Sequence, residues 1–162
     1  MPYWLEIVIN LSFSFLATFG FALTINLPRR ALIACGWSGA IGWMTYWFMM
    51  QLNVGRVISN LAGAMLIGII GIFFARWKKM PIILFNIPGI VPLVPGAPAY
   101  QAVRAMALGQ VDDALRLFLK VAMICGAIAI GFMLAQLVSE IVSRTTRKIR
   151  KSKIKSLPQD AN

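Results

Sequence analysis

The chain has 162 residues, 59% of them hydrophobic and 13% charged, with a mean hydropathy of +0.77. Those figures exclude an ordinary soluble domain and predict an all-α integral membrane protein. The formal charge of +11 is large enough for nucleic acid, but seven of the sixteen Lys and Arg residues fall in 144–155, directly behind the last apolar run. Positive charge in that place sets topology and attracts anionic lipid, so no nucleic acid is expected.

The first predicted span covers residues 5–25, ~20 residues being enough for the hydrocarbon core, with Tyr3 and Trp4 where an interfacial aromatic belt belongs. It lacks a basic leader and a small-residue cleavage site, so it is expected to stay as a span. The segment Asn26-Leu-Pro28-Arg-Arg30 stops it in a tight loop, Pro28 ending the helix and the arginines facing water. The second span is 31–50, rich in small residues at Gly36, Gly39, Ala40 and Gly42. The third is 57–74, and its Ala64, Gly68, Gly71 and Ala75 follow helical spacing on one face, which predicts close packing of another helix.

The fourth apolar segment, 81–106, holds five of the eight prolines. Prolines at 88, 92, 95 and 98 deprive the carbonyls of Leu84, Pro88, Val91 and Val94 of their helical partners. Such backbone is tolerated at membrane depth only inside protein or beside a wet cavity, so this span is expected to be broken and to lie near any pathway. A more polar stretch follows, in which Asp112 and Asp113 suit the first turn of the next helix. The fifth span is 117–142, with Ala127, Gly131 and Ala135 as a second packing stripe. Residues 1–143 then form a five-span domain and 144–162 a basic tail, mobile over 151–162.

Lys and Arg counts fix the expected orientation. With five spans and the amino terminus outside, the inner segments hold twelve (Arg29, Arg30, Arg76, Lys78, Lys79 and seven in the tail). The outer segments hold four, Arg56, Arg104, Arg116 and Lys120. A re-entrant fourth segment would erase that bias, so five crossings, amino terminus out and carboxy terminus in, are predicted.

Chemistry is limited by the inventory. The chain has no histidine, only five acidic residues, and two cysteines, Cys35 and Cys125, inside apolar runs. No metal cluster, cofactor site or nucleophile–base pair can be built from these, which excludes enzyme function. The broken span instead suggests a substrate site at Pro95, Gly96, Pro98, Tyr100 and Arg104, where positive potential would suit an anion. Pro98 would be the first residue of a half-helix whose free N–H groups face the anion. Pro88, Val91, Pro92 and Val94 are candidates for holding a coupling cation through freed carbonyls. Asn26, Pro28 and Arg30 form a secondary candidate group. A pore subunit and a scaffold protein are the competing classes.

Three stretches carry a resemblance: FALTINLPRRAL at 21–32, AMLIGIIGIFFARW at 64–77 and IPGIVPLVPGAPAYQAVRAM at 87–106. The chain resembles the ThrE family of threonine/serine exporters, in the split form where the carboxy-terminal half is a separate, YjjB-type chain. Pro92, Pro95, Gly96 and Tyr100 carry the more specific pattern, and Asn26, Pro28 and Arg30 a weaker one. The resemblance implies a bacterial inner-membrane exporter completed by a larger YjjP-type subunit, with succinate as the small carboxylate of the split form and threonine or serine that of the fused form. Self-association into a homo-oligomer is the other assembly that five crossings allow, as one half of an inverted pair.

Overall fold

The computed structural model describes the backbone from residue 2 to 155 and side chains as far as residue 141. Apolar runs that must satisfy every backbone group internally become helices. They are α1 (Tyr3–Thr24), α2 (Arg29–Gln51), α3 (Arg56–Lys78), α4 (Ile83–Ile90), a 3-10 turn (Val91–Leu93), α5 (Gly96–Ala107) and α6 (Val111–Lys155).

The helix ends follow from local chemistry. Asn26, Asn53, Lys79 and Gly109 all have positive φ. Each stands just past a helix end, where a left-handed residue lets the next N–H reach back to a free carbonyl, as Leu27 does to Ala22 and Gln110 to Ala105. Asn26 therefore has a structural role in closing α1. Pro28 precedes the first turn of α2, its carbonyl accepting from the Ala31 N–H.

α2 is the central helix, packing against α1, α3 and α4. Its small residues permit this. A Cβ on Gly36 would strike Phe15, one on Gly39 would strike Thr18, and one on Gly42 would strike Ile67. The contacts make α1, α2, α3 and α4 successively antiparallel, and α3 and α6 parallel. Along the α3–α6 seam Ala64 meets Gly131, Gly68 meets Ala135, and Arg76 donates to Ser139 Oγ at 3.1 Å. The stripe 127–131–135 is buried there, as its spacing predicts.

The α3 stripe packs closely as expected but meets two neighbours, not one. Gly68 receives α6, whereas a Cβ on Gly71 would meet Asn86 and Phe85 of α4. Gly68 and Gly71, three residues apart, stand ~60° apart around the helix, so the two edges of the stripe meet different neighbours and α3 fits between them.

α1, α3 and α6 are long and apolar enough to cross a membrane, and α4 with α5 counts as a fourth span if the bent pair is one crossing. α2 has 23 residues, a length of about 34 Å, and matches the others in reach. Its glycines, serine, threonine, tryptophans and tyrosine dilute its hydropathy, and Gly36, Ser38, Gly39 and Gly42 are buried in the bundle. α6 begins at Val111, six residues ahead of the expected start, and runs as helix through much of the basic stretch. Beyond Lys155 the expected mobile end lies outside the described residues.

Candidate functional site

The fourth segment is broken as the prolines require. α4 and the 3-10 turn end at Leu93, α5 starts at Gly96, and the two arms are bent by 58°. The break sits beside the middle of the bundle: a Cβ on Gly63 would lie 3.1 Å from Leu93. That is about 6 Å from the midpoint of α3 at ~1.5 Å rise per residue.

All four carbonyls freed by proline have found another donor. The Cys35 thiol donates to the Leu84 carbonyl at 3.2 Å, across from α2. Val91 N–H bonds Pro88, Val94 N–H reaches Val91 at 3.4 Å, and Gly96 N–H reaches Val94 at 2.8 Å. The Val91 and Val94 carbonyls keep one lone pair each for any further partner.

The helix after the break starts earlier than expected. Gly96, not Pro98, is its first residue, with Pro95 as cap. Ala99 N–H is bound to the Pro95 carbonyl at 3.1 Å, so the first turn offers the Ala97 N–H alone. Pro98 is tolerated there because a first-turn N–H has no intrahelical partner to lose.

α5 packs on α6 through Ala102 and Ala105 and makes no comparable contact with α1 to α4. Its opposite side is bare. Tyr100 is 70% exposed, and a Cβ on Gly96 would meet nothing within 4 Å. Arg104 follows Tyr100 by one helical turn, and its side chain reaches toward α6. Arg104, however, lies about 12 Å along the helix from Gly96. It lines a cleft of about 600 Å³ at the α5–α6 turn with Gln101, Gln110, Asp113 and Arg116. The break and Arg104 are therefore two places. Asn26, Pro28 and Arg30 form a third, at the far end of the bundle, where Arg30 stands near Trp77 and Lys78 of α3.

Several polar residues near the break escaped the sequence reading. Pro92 borders a cleft of about 380 Å³ with Asn10, Ser14 and Trp43. Trp43 Nε1 donates to Asn10 Oδ1 at 3.0 Å, and Ser14 Oγ donates to the Asn10 carbonyl at 2.7 Å. Deeper in the bundle, Ser38 Oγ and Asn86 Oδ1 are buried without a hydrogen-bond partner. Ser38 lies against Gly89, and Asn86 against Gly71. The signal was present in α1, whose Asn10, Ser14 and Thr18 recur every four residues within an apolar span. No group of three or more potential metal-ligating side chains exists among the described residues.

A family model described as "Threonine/Serine exporter, ThrE" matches residues 10–138. The chain belongs to the ThrE threonine/serine exporter family. It is a multi-pass membrane protein of a transport family and not an enzyme. The match includes the whole of α2 to α5 and thus the broken span, while the basic end of α6 lies outside it. No solved structure matches the chain.

Proposed function

We propose that this ThrE-family chain is the smaller membrane subunit of a two-part secondary exporter in the bacterial inner membrane, carrying a succinate-like carboxylate together with a larger YjjP-type subunit. The broken span carries the reading. Irregular backbone at mid-depth is supported in transporters by a wet cavity or by surrounding protein, and here one side of the break, at Gly96, Ala97 and Tyr100, is uncovered by its own chain. A second subunit on that side would enclose a substrate against the Ala97 N–H and the Tyr100 hydroxyl. Arg104 would meet the anion farther out, in the α5–α6 cleft.

Five crossings support such a pair, with the amino terminus outside and the 144–162 tail inside. The alternation of α1 to α4 and the parallel run of α3 and α6 agree with an odd number. A five-span half of one orientation fits a five-span half of the other, with the site where they meet.

One observation favours threonine or serine as cargo instead: Asp113 stands in the same cleft as Arg104 and Arg116, and a zwitterion needs both signs. Vesicles holding both subunits, loaded with labelled succinate or threonine, decide between them. The proposal requires saturable efflux of succinate that neither subunit gives alone. Non-saturable flux would support a pore, and no flux with intact assembly would support a scaffold.

A further inference from the structure

The end of the bundle opposite the α5–α6 turn holds a groove away from the break and the Arg104 cleft. It lies between α2 and α3, encloses about 580 Å³, and is lined by Arg29, Arg30, Ile33, Trp37, Phe74, Trp77 and Lys78, with Ala34 at its floor. Its two parts differ in chemistry. Arg29, Arg30 and Lys78 form a cationic rim, and no acidic side chain lines the groove. None of the three is ion-paired to an acid among the described residues, and Lys78 Nζ rests 5.1 Å from the Trp77 ring. From that rim the groove runs down one side of α2 through residues 30, 33, 34 and 37. These are successive positions of one helical face, and they descend about 10 Å along the helix. Phe74 and Trp77 make the facing wall on α3. Ile33 is 63% exposed and Trp77 69%, so the walls are open to the bilayer.

We infer that this α2–α3 groove is a binding site for an anionic phospholipid, the phosphate held by Arg29, Arg30 and Lys78 and an acyl chain lying along Ile33, Trp37 and Phe74. A soluble dianion would satisfy the rim and leave the apolar walls idle, and a neutral lipid would leave three charges unmatched. Only an amphiphile with a negative head complements both. Basic pockets between membrane helices are the usual place for such headgroups, and Trp and Arg are suited to the interface they occupy. The site is distinct from diffuse attraction to the 144–155 basic stretch, because it needs a shaped apolar wall as well as charge.

The test is native mass spectrometry of the purified full-length chain, alone and with its subunit partner, titrated with phosphatidylglycerol and with phosphatidylcholine of the same acyl chains. Retention of phosphatidylglycerol at least tenfold stronger than of phosphatidylcholine is expected. It should fall by about tenfold in Arg30→Gln/Lys78→Gln and also in Trp77→Ala, which changes no charge. Circular dichroism on the same samples, showing unchanged helicity, keeps the comparison valid. Millimolar inorganic phosphate and succinate should not displace the lipid. Displacement by either would mean a free-anion site and would overturn the inference, as would a Trp77→Ala protein that binds like the parent. Loss of binding on neutralising the 144–155 basic residues, with the groove variants unaffected, would overturn it too.

Discussion

The α3–α6 seam gives a sharp quantitative test in Gly131→Ala. A Cβ at this position would lie 2.6 Å from the Leu61 carbonyl oxygen, 2.9 Å from Ala64 Cβ and 3.0 Å from Met65 N. Two of those atoms are backbone, so no rotamer change relieves the clash. The helices must part by roughly 0.5–1 Å, a gap that forfeits a quarter to a half of each dispersion contact along the seam. With ~0.1–0.2 kcal/mol per atom pair and on the order of twenty to thirty pairs affected, the loss is about 0.5–3 kcal/mol, overlapping the ~1–3 kcal/mol typical of overpacked cores. Gly126 is the control on the same helix, since a Cβ there meets nothing within 4 Å. Helices persist when membrane bundles dissociate, so Gly126→Ala should change stability by less than ~0.5 kcal/mol. Reversible unfolding in mixed micelles, followed by tryptophan fluorescence, measures both. If the two variants differ by less than ~0.5 kcal/mol, α3 and α6 do not pack in this register.

Gly68→Leu, aimed at Ala135 Cβ 2.5 Å away, should destabilise by ~1–3 kcal/mol while Ile69→Leu does little, checked by the same unfolding assay. Cys35→Ala leaves the half-buried Leu84 carbonyl without its thiol donor and should cost ~0.5–1.5 kcal/mol in thermal unfolding, whereas Cys35→Ser should recover part of the loss. A double-mutant cycle of Asn10→Leu and Trp43→Phe should return a coupling of ~0.5–1.5 kcal/mol, and a value near zero would mean that the bond does not form in the membrane. Gly96→Val and Tyr100→Phe should lower vesicle efflux several-fold without lowering thermal stability, because neither position is packed; unchanged efflux in both would move the site into the partner.

The elements legible in the sequence were those written in local chemistry. Proline at 88, 92, 95 and 98 dictates a break, and asparagine at 26 fits a left-handed turn. Small residues at 127, 131 and 135 dictate a contact. What local chemistry cannot specify is which neighbour answers it. Nothing in a linear reading says that Cys35, forty-nine positions away, would supply the donor that Pro88 removed from Leu84. Nor does it say that the α3 stripe would be divided between α6 and α4. Pro98 misled because two features compete at such a site: proline favours the first helical position, but Pro95 with the small, unhindered Gly96 allows the helix to begin a half-turn earlier. Ser38 and Asn86 were hidden for another reason, since a lone polar residue in an apolar helix reveals its burial only once its neighbours are placed.

Depth is where the two arms of the broken span part company. The apolar part of α6, Val111–Ile141, has 31 residues and is therefore about 46 Å long, against ~30 Å of hydrocarbon. The α3–α6 register decides which end protrudes. Arg76 meets Ser139 close to the end of α3, so the two helices leave the membrane together there, and the excess of about 15 Å falls at the Val111 end. Asp112, Asp113, Arg116 and the second half of α5 are then expected at or above the headgroups, with Leu93 and Gly96 expected within the hydrocarbon. Single cysteines in a Cys35→Ser/Cys125→Ser background test this with a membrane-impermeant maleimide applied from outside. Cysteines at 104 and 113 should label within minutes, one at 128 should not label, and one at 97 should label only if water reaches the break. Protection at 104 and 113 together would put the α5–α6 hairpin inside the bilayer, and the charged cleft would then have to lie on the substrate path itself.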